Sequence, residues 1–221
     1  MGIIWEGITD GSVLNENARS LRHRLADATK SYDWAAVLTV LRDHRDLVNT
    51  TRPGGASFFA PLHQAAHGDA PASVCEELVQ LGAWRMLETA RGERPIDIAE
   101  RCGHRRARDI LRPTLARRVP AGILLVIQSH FHDVIRGRAE RLVGQAGLRL
   151  PPLAPLLEMP QETEPVWFAI PGMYGGFSYH LRRDGVDATL VAESWCRVVG
   201  GSGQRHEITS AGARLVDEGF V

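Results

Sequence analysis

The sequence predicts an α+β chain: stacked helix pairs in the first half, one joining amphipathic helix, then a small antiparallel β-sheet. Three observations carry this. Two segments repeat one another, with Pro-aliphatic steps at Pro61-Leu62 and Pro95-Ile96, 34 positions apart. A fixed period in that range marks a stack of similar units. Apolar residues recur at three- and four-residue spacing as far as about residue 145, which is helical. Beyond Pro151-Pro152-Leu153-Ala154-Pro155 the apolar residues alternate instead, which is extended.

The bulk numbers set limits. A chain of 221 residues holds one large or two small domains. Hydrophobic content of 44% and charged content of 24% are ordinary for a soluble globular protein. The formal net charge is zero, so no global field draws the chain to nucleic acid or to an anionic membrane. Lys30 is the only lysine, so 25 of the 26 basic residues are arginine. Arginine suits bidentate pairing with carboxylates and phosphates, although genomic base composition explains the same bias. Cys75, Cys102 and Cys196 are widely spaced, with no CxxC or Cys/His ladder, which argues against a metal site and suits a reducing cytoplasm. No cofactor motif is present. Met1 to Glu6 lacks the basic flank and long apolar core of a signal peptide. The apolar run from Ala121 to Ile127 is too short to span a bilayer.

Residues 1–14 read as an N-terminal extension. Leu21, Leu25 and Ala28 then give a helix over 15–31. Asp33 is placed to cap the next helix, whose stripe is Trp34, Val37, Leu38 and Leu41. Asp46-Leu47-Val48-Asn49 closes this unit, and a loop over 50–59 contains Pro53-Gly54-Gly55. The second unit pairs helices over 61–68 and 72–81, and the third pairs 95–102 with 105–112, ended by Pro113.

Residues 15–113 resemble the ankyrin-repeat family. The family's Thr-Pro-Leu-His-x-Ala-Ala stands here as Ala60-Pro61-Leu62-His63-Gln64-Ala65-Ala66. Gly82-Ala83 matches the closing Gly-Ala turn, Asp46-Leu47-Val48-Asn49 the end of a repeat, and Gly103-His104 the opening of a second helix. Two positions depart: Ala60 replaces the Thr, and Asp97 stands where the third unit's His would sit. The loop before Pro61 is three residues longer than its equivalent before Pro95. The resemblance implies a binding scaffold that engages a protein partner through loop tips and inner helices. The candidates it implies are Arg52, Ser57, Phe58 and Phe59 in one loop, and Arg91 and Glu93 in the next. Phe58 and Phe59 either face that partner or tuck beneath a neighbour. The resemblance also gives His63 a local hydrogen-bonding role that holds its turn.

Over 114–150 a joining helix follows Pro120, with Leu124, Ile127, Phe131, Ile135 and Leu142 on one face and an end at Gly147. Six arginines fall in this segment against Asp133 and Glu140; they form either a solvated face or a phosphate-binding one. His130 and His132 point about 200° apart on a helix, so they do not share a metal.

Residues 151–221 read as an antiparallel sheet of four or five strands. Val166 to Ile170 is one strand, and Phe177, Tyr179 and Leu181 alternate with polar residues in the next. Thr189 to Val199 follows, then a turn at Gly200-Gly201-Ser202-Gly203, a strand from Gln204 to Thr209, and a last one from Ala213 to Val221. On the 189–199 strand, Val191, Glu193, Trp195, Arg197 and Val199 share one face. With Arg205, His206 and Glu207 on the adjacent strand, and with Tyr174 and Tyr179, they form either a ligand pocket or a solvent-facing ladder of opposite charges. Tyr174 lies in a Gly-rich loop, Gly172 to Gly176, of the sort that lets backbone approach a ligand.

Two functional expectations follow. One is a non-catalytic adaptor or regulatory protein that binds a protein partner through the repeat edge. The alternative is a small-molecule-binding or catalytic β domain, positioned by the repeats. No nucleophile elbow, paired-carboxylate signature or metal spacing favours catalysis.

Overall fold

A computed structural model describes residues 2–161, 163–197 and 202–219. The chain is α+β and divides into two compact units, Ile8–Thr114 and Met1–Gly7 with Leu115–Val221. One cut falls after Gly7 and the other after Thr114, beside Pro113. The proline-rich stretch at 151–155 is not a cut. Leu153 N donates to Gln128 Oε1 at 2.8 Å and His132 Nε2 donates to the Pro151 carbonyl at 2.9 Å, so the stretch is tied to the joining helix.

The unit Ile8–Thr114 holds six helices among the described residues. α1 (Glu16–Lys30) is capped by Asn15, whose Oδ1 accepts from Ala18 N at 2.9 Å. α2 (Trp34–Asp43) is capped by Asp33, as its position predicts, through Ala36 N at 3.1 Å. α3 (Pro61–His67) and α5 (Pro95–Arg101) each begin with proline at the first helical position, where a missing N–H is harmless. α4 is Ala72–Gln80 and α6 is Arg108–Leu111. The last is one turn only, against an expected helix over 105–112. No side chain caps it at Ala107, and Pro113 stops it on the other side.

Contacts arrange these helices in two rows. α1 packs on α3 and α3 on α5; α2 packs on α4 and α4 on α6. Leu25, Leu41, Leu62, Leu78, Ile98 and Leu111 meet in the single core between the rows. Hydrogen bonds repeat the period. The Tyr32 hydroxyl bonds His67 Nδ1 at 2.8 Å, 35 residues on. Asn49 Nδ2 donates to the Gly82 carbonyl and Asn49 Oδ1 accepts from Trp84 N, both at 2.9 Å, 33 and 35 residues on. The Arg42–Glu77 ion pair also spans 35.

In the other unit, α7 (Ala121–Gln145) buries Leu124, Ile127, Phe131 and Ile135 as the spacing predicts. It is not continuous. At Ala139 the backbone leaves helical geometry (φ −147°, ψ 25°), next to Arg138, which reaches the Ser202 carbonyl at 2.6 Å and hydroxyl at 2.8 Å. The sheet is an antiparallel meander in the order β1 (Val166–Ile170), β2 (Gly175–Arg183), β3 (Thr189–Cys196), β4 (Ser202–Thr209) and β5 (Gly212–Glu218). Ser202 and Gly203, expected in a turn, belong to β4; Val198, Val199, Gly200, Gly201, Phe220 and Val221 lie outside the described residues.

α7 covers one sheet face. Phe131 sits 5.1 Å from the Tyr179 ring and 6.2 Å from Phe177. The supposed N-terminal extension is divided: Ile4 bridges Trp167 in parallel, so residues 3–5 flank β1. Trp167 N donates to the Ile3 carbonyl at 2.8 Å, and Trp5 N to the Trp167 carbonyl at 2.9 Å.

Candidate functional site

The two loop tips of the repeat unit are built on their first helical turns. His63 is fully buried; its Nδ1 accepts from Ala60 N at 3.1 Å, so Nε2 carries the proton and donates to the Leu87 carbonyl at 3.0 Å. One repeat later Asp97 does the first of these jobs, accepting from Arg94 N at 2.9 Å. The Arg94 side chain also donates to both Asp97 oxygens at 2.9 Å, and this hydrogen bonding holds the Asp97 carboxyl below its usual range. The two loops are joined by Ala90 N donating to the Ser57 carbonyl at 3.0 Å.

The six candidates on these loops separate by exposure. Ser57 and Arg91 are exposed. Phe58 is half-buried at φ 55°. Phe59 is half-buried against the core, with His63 at 5.8 Å and His67 at 6.2 Å. Phe59 therefore belongs to the packing of the loop base. Arg52 pairs with Asp27, and Glu93 with Arg101 at 2.5 Å. The loop at 89–93 is held by buried Thr89, whose Oγ1 accepts from Arg91 N and Glu93 N at 3.2 Å.

Strand register divides the candidates of the sheet. Trp167, Ser178, Glu193 and Arg205 form one cross-strand row on the face away from α7; Gly176, Trp195 and Gly203 form the next. Tyr179 and His206 both pair with Ala192 and point to the opposite face. They are corrections to the expected pocket. Tyr179 is fully buried, which pushes its phenol well up. Burial, with Arg138 nearby, lowers the His206 imidazole. The charged candidates Glu193, Arg205 and Glu207 are held in ion pairs. Glu193 pairs with Arg205, and Glu207 accepts from Arg182 at 2.6 Å and Arg214 at 2.9 Å, which lowers its carboxyl. This is a charge ladder.

What remains together is aromatic. Tyr174, Trp195 and Arg197 join Trp167, Gly175 and Ser178 around a groove of about 580 Å³. The two indole rings lie 5.8 Å apart at 43°. Sequence reading missed Trp167 and Ser178, because only the β1–β2 register places them beside Trp195. Two glycines let the strands close up here: a Cβ on Gly175 falls 1.9 Å from the Trp195 carbonyl oxygen, and one on Gly176 falls 2.2 Å from that of Phe168. Tyr174 is unusual. It adopts φ 52° while 76% exposed, so a left-handed conformation costing about 1 kcal/mol is not repaid by packing. Among the described lining residues there is no carboxylate and no nucleophile paired with a base; they present ring faces and hydrogen-bond donors.

No family model matches the sequence, and no curated protein matches it. Among solved structures, it is similar to one chain of a complex between a predatory endopeptidase from Bdellovibrio bacteriovorus and an immunity protein. The TM-score is 0.33 and the identity 16%, over 39% of this chain and 42% of that chain. The match thus spans less than half of either.

Proposed function

We propose that this chain is a non-catalytic interaction protein whose ankyrin-like unit binds a protein partner along the edge carrying the loops at 50–59 and 86–94. The observation that carries the reading is the agreement of two periods: the Pro61 and Pro95 motifs recur after 34 residues, and Tyr32, Asn49 and Arg42 bond groups 33 to 35 residues on. Stacked helix pairs of this kind hold a continuous edge whose side chains are free to vary. Ser57 and Arg91 are the exposed anchors on it. The test is affinity capture from the native host with full-length bait. Ser57→Arg and Arg91→Glu leave core packing intact and abolish capture of the partner. Equal capture by both variants rejects the edge. Phe59→Ala is unsuitable because it empties the loop base.

A second reading is favoured by the groove beside Trp167 and Trp195: the β unit binds a ligand of its own. Catalysis at that face has no support in the lining residues.

A further inference from the structure

We propose that the groove on the sheet face away from α7 is a docking site for a proline-rich segment in polyproline II conformation, flanked by a carboxylate that meets Arg197. The proposal rests on the second reading above, that this face binds, and adds the class of ligand.

Tyr174 is the starting point. Among the described residues, four other than glycine have positive φ: Tyr32, Phe58, Asp69 and Tyr174. Tyr32 gains from its conformation, since its hydroxyl bonds His67 and its ring lies 5.9 Å from Trp34 and against Gly68. Phe58 is half-buried, and Asp69 pairs with Arg106 at 3.2 Å. Tyr174 instead stands out from the surface at the mouth of the groove. A conformation that glycine adopts freely is here given a large side chain of which three-quarters is exposed.

The lining then narrows the occupant. Trp167, Trp195 and Tyr174 offer flat apolar walls, and their indole N–H and phenol O–H groups are donors. Ser178 and Arg197 add two more donor groups, and no carboxylate is among the described residues that line the groove. Glu193, the nearest acid in the Trp167–Ser178 row, is held by Arg205. The complement of such a surface is rich in acceptors, poor in donors, and apolar on its flanks. Proline peptides fit: each residue keeps its carbonyl, lacks an N–H, and presents a flat ring, and the extended helix is already ordered before binding. Saccharides bring an O–H donor with every hydroxyl, which the donor-weighted lining leaves with fewer acceptors to meet. Among the described residues Arg197 forms no ion pair with a carboxylate, so its charge is complementary to an acidic residue beside the prolines.

The test uses the full chain and two fluorescein-labelled decaproline probes, one ending in two glutamates, read by anisotropy. Both bind saturably, the acidic probe more tightly by about two- to fivefold at low salt, and Arg197→Gln removes that difference. Tyr174→Gly weakens both probes by about tenfold or more while the thermal midpoint holds or rises. A lower midpoint for Tyr174→Gly assigns the tyrosine to the fold and overturns the proposal. Cello-oligosaccharide and oligo-dT are run alongside. If one of them binds and the proline probes do not, the face binds but the ligand class is wrong. If no probe perturbs the Trp167 and Trp195 indole resonances, both the proposal and the reading beneath it fall.

Discussion

Replacing Asn49 by alanine tests the ladder between repeats at its most buried rung. Asn49 is 9% exposed and makes two bonds at 2.9 Å, to the Gly82 carbonyl and from Trp84 N. Alanine removes both. Gly82 is exposed, so its carbonyl recovers water and the loss there lies near 1 kcal/mol. Trp84 is buried, and an amide robbed of a partner in that setting costs about 1–3 kcal/mol. The sum is about 2–4 kcal/mol, a large part of the roughly 5–15 kcal/mol that keeps a domain folded. With an m-value near 1 kcal/mol/M for a unit of this size, the urea midpoint of the helical signal falls by about 2 M or more. Far-ultraviolet circular dichroism follows the transition, and hydrogen exchange at the Trp84 amide reports the rung itself. Asn49→Asp adds a sign test. It keeps the acceptor for Trp84 but sets a carboxylate against the Gly82 carbonyl, so its deficit shrinks as acid protonates it. A stability change below about 0.5 kcal/mol for Asn49→Ala, with unchanged m, refutes the claim that this side chain ties its turn to residues 82–84.

Asp97→Ala removes the carboxylate that caps α5 and pairs with Arg94, and lowers stability by about 1 kcal/mol, because the pair is one-third exposed. In the parent chain the Asp97 contribution is complete at neutral pH and fades as acid passes down through its lowered carboxyl value, which urea titrations of parent and variant across pH 2–7 resolve. His132, His180 and His206 all have imidazoles lowered chiefly by burial. The unfolded chain therefore takes up protons first, and the unit holding α7 and the sheet loses stability as pH falls below about 6.5, levelling off once the folded imidazoles titrate; thermal melts from pH 8 to 5 measure this. Gly176→Ala puts a Cβ 2.2 Å from the Phe168 carbonyl oxygen and forces β1 from β2, at a cost of about 3 kcal/mol or outright misfolding, visible as lost expression or a collapsed melt.

Legibility of this fold in its sequence followed the range of the forces involved. Helices α1 to α5 announce themselves because their apolar stripes and start signals are local: Asp33 is read within three residues of the group it caps. The strands of the sheet are legible as alternation for the same reason. Features decided at a distance were not legible. Residues 3–5 find β1 through backbone bonds to Trp167, across more than 160 residues, and carry no pattern of their own. The helix break at Ala139 sits beside an arginine whose partner, Ser202, is 64 residues away. Asp97 departs from the repeat motif yet caps its helix as His63 does, so the chemistry of the position was kept where its letter was not.

Charge proved a poor guide to the candidate site, and the reason is general. Glu193, Arg205 and Glu207 caught attention as a cluster of titratable groups on the neighbouring strands β3 and β4. Antiparallel pairing sets Glu193 opposite Arg205 and Glu207 opposite Arg214, and the opposite charges then satisfy each other. A cluster built this way is consumed by its own geometry. The groups that keep capacity for another molecule are those whose placement the fold does not reward: Ser57 and Arg91 at the tips of the repeat loops, and Tyr174, left-handed and three-quarters exposed. A side chain held at some cost and buried by nothing in its own unit is the better marker of a binding surface, and Tyr174→Gly, which relieves the backbone while removing the ring, separates the two roles in one substitution.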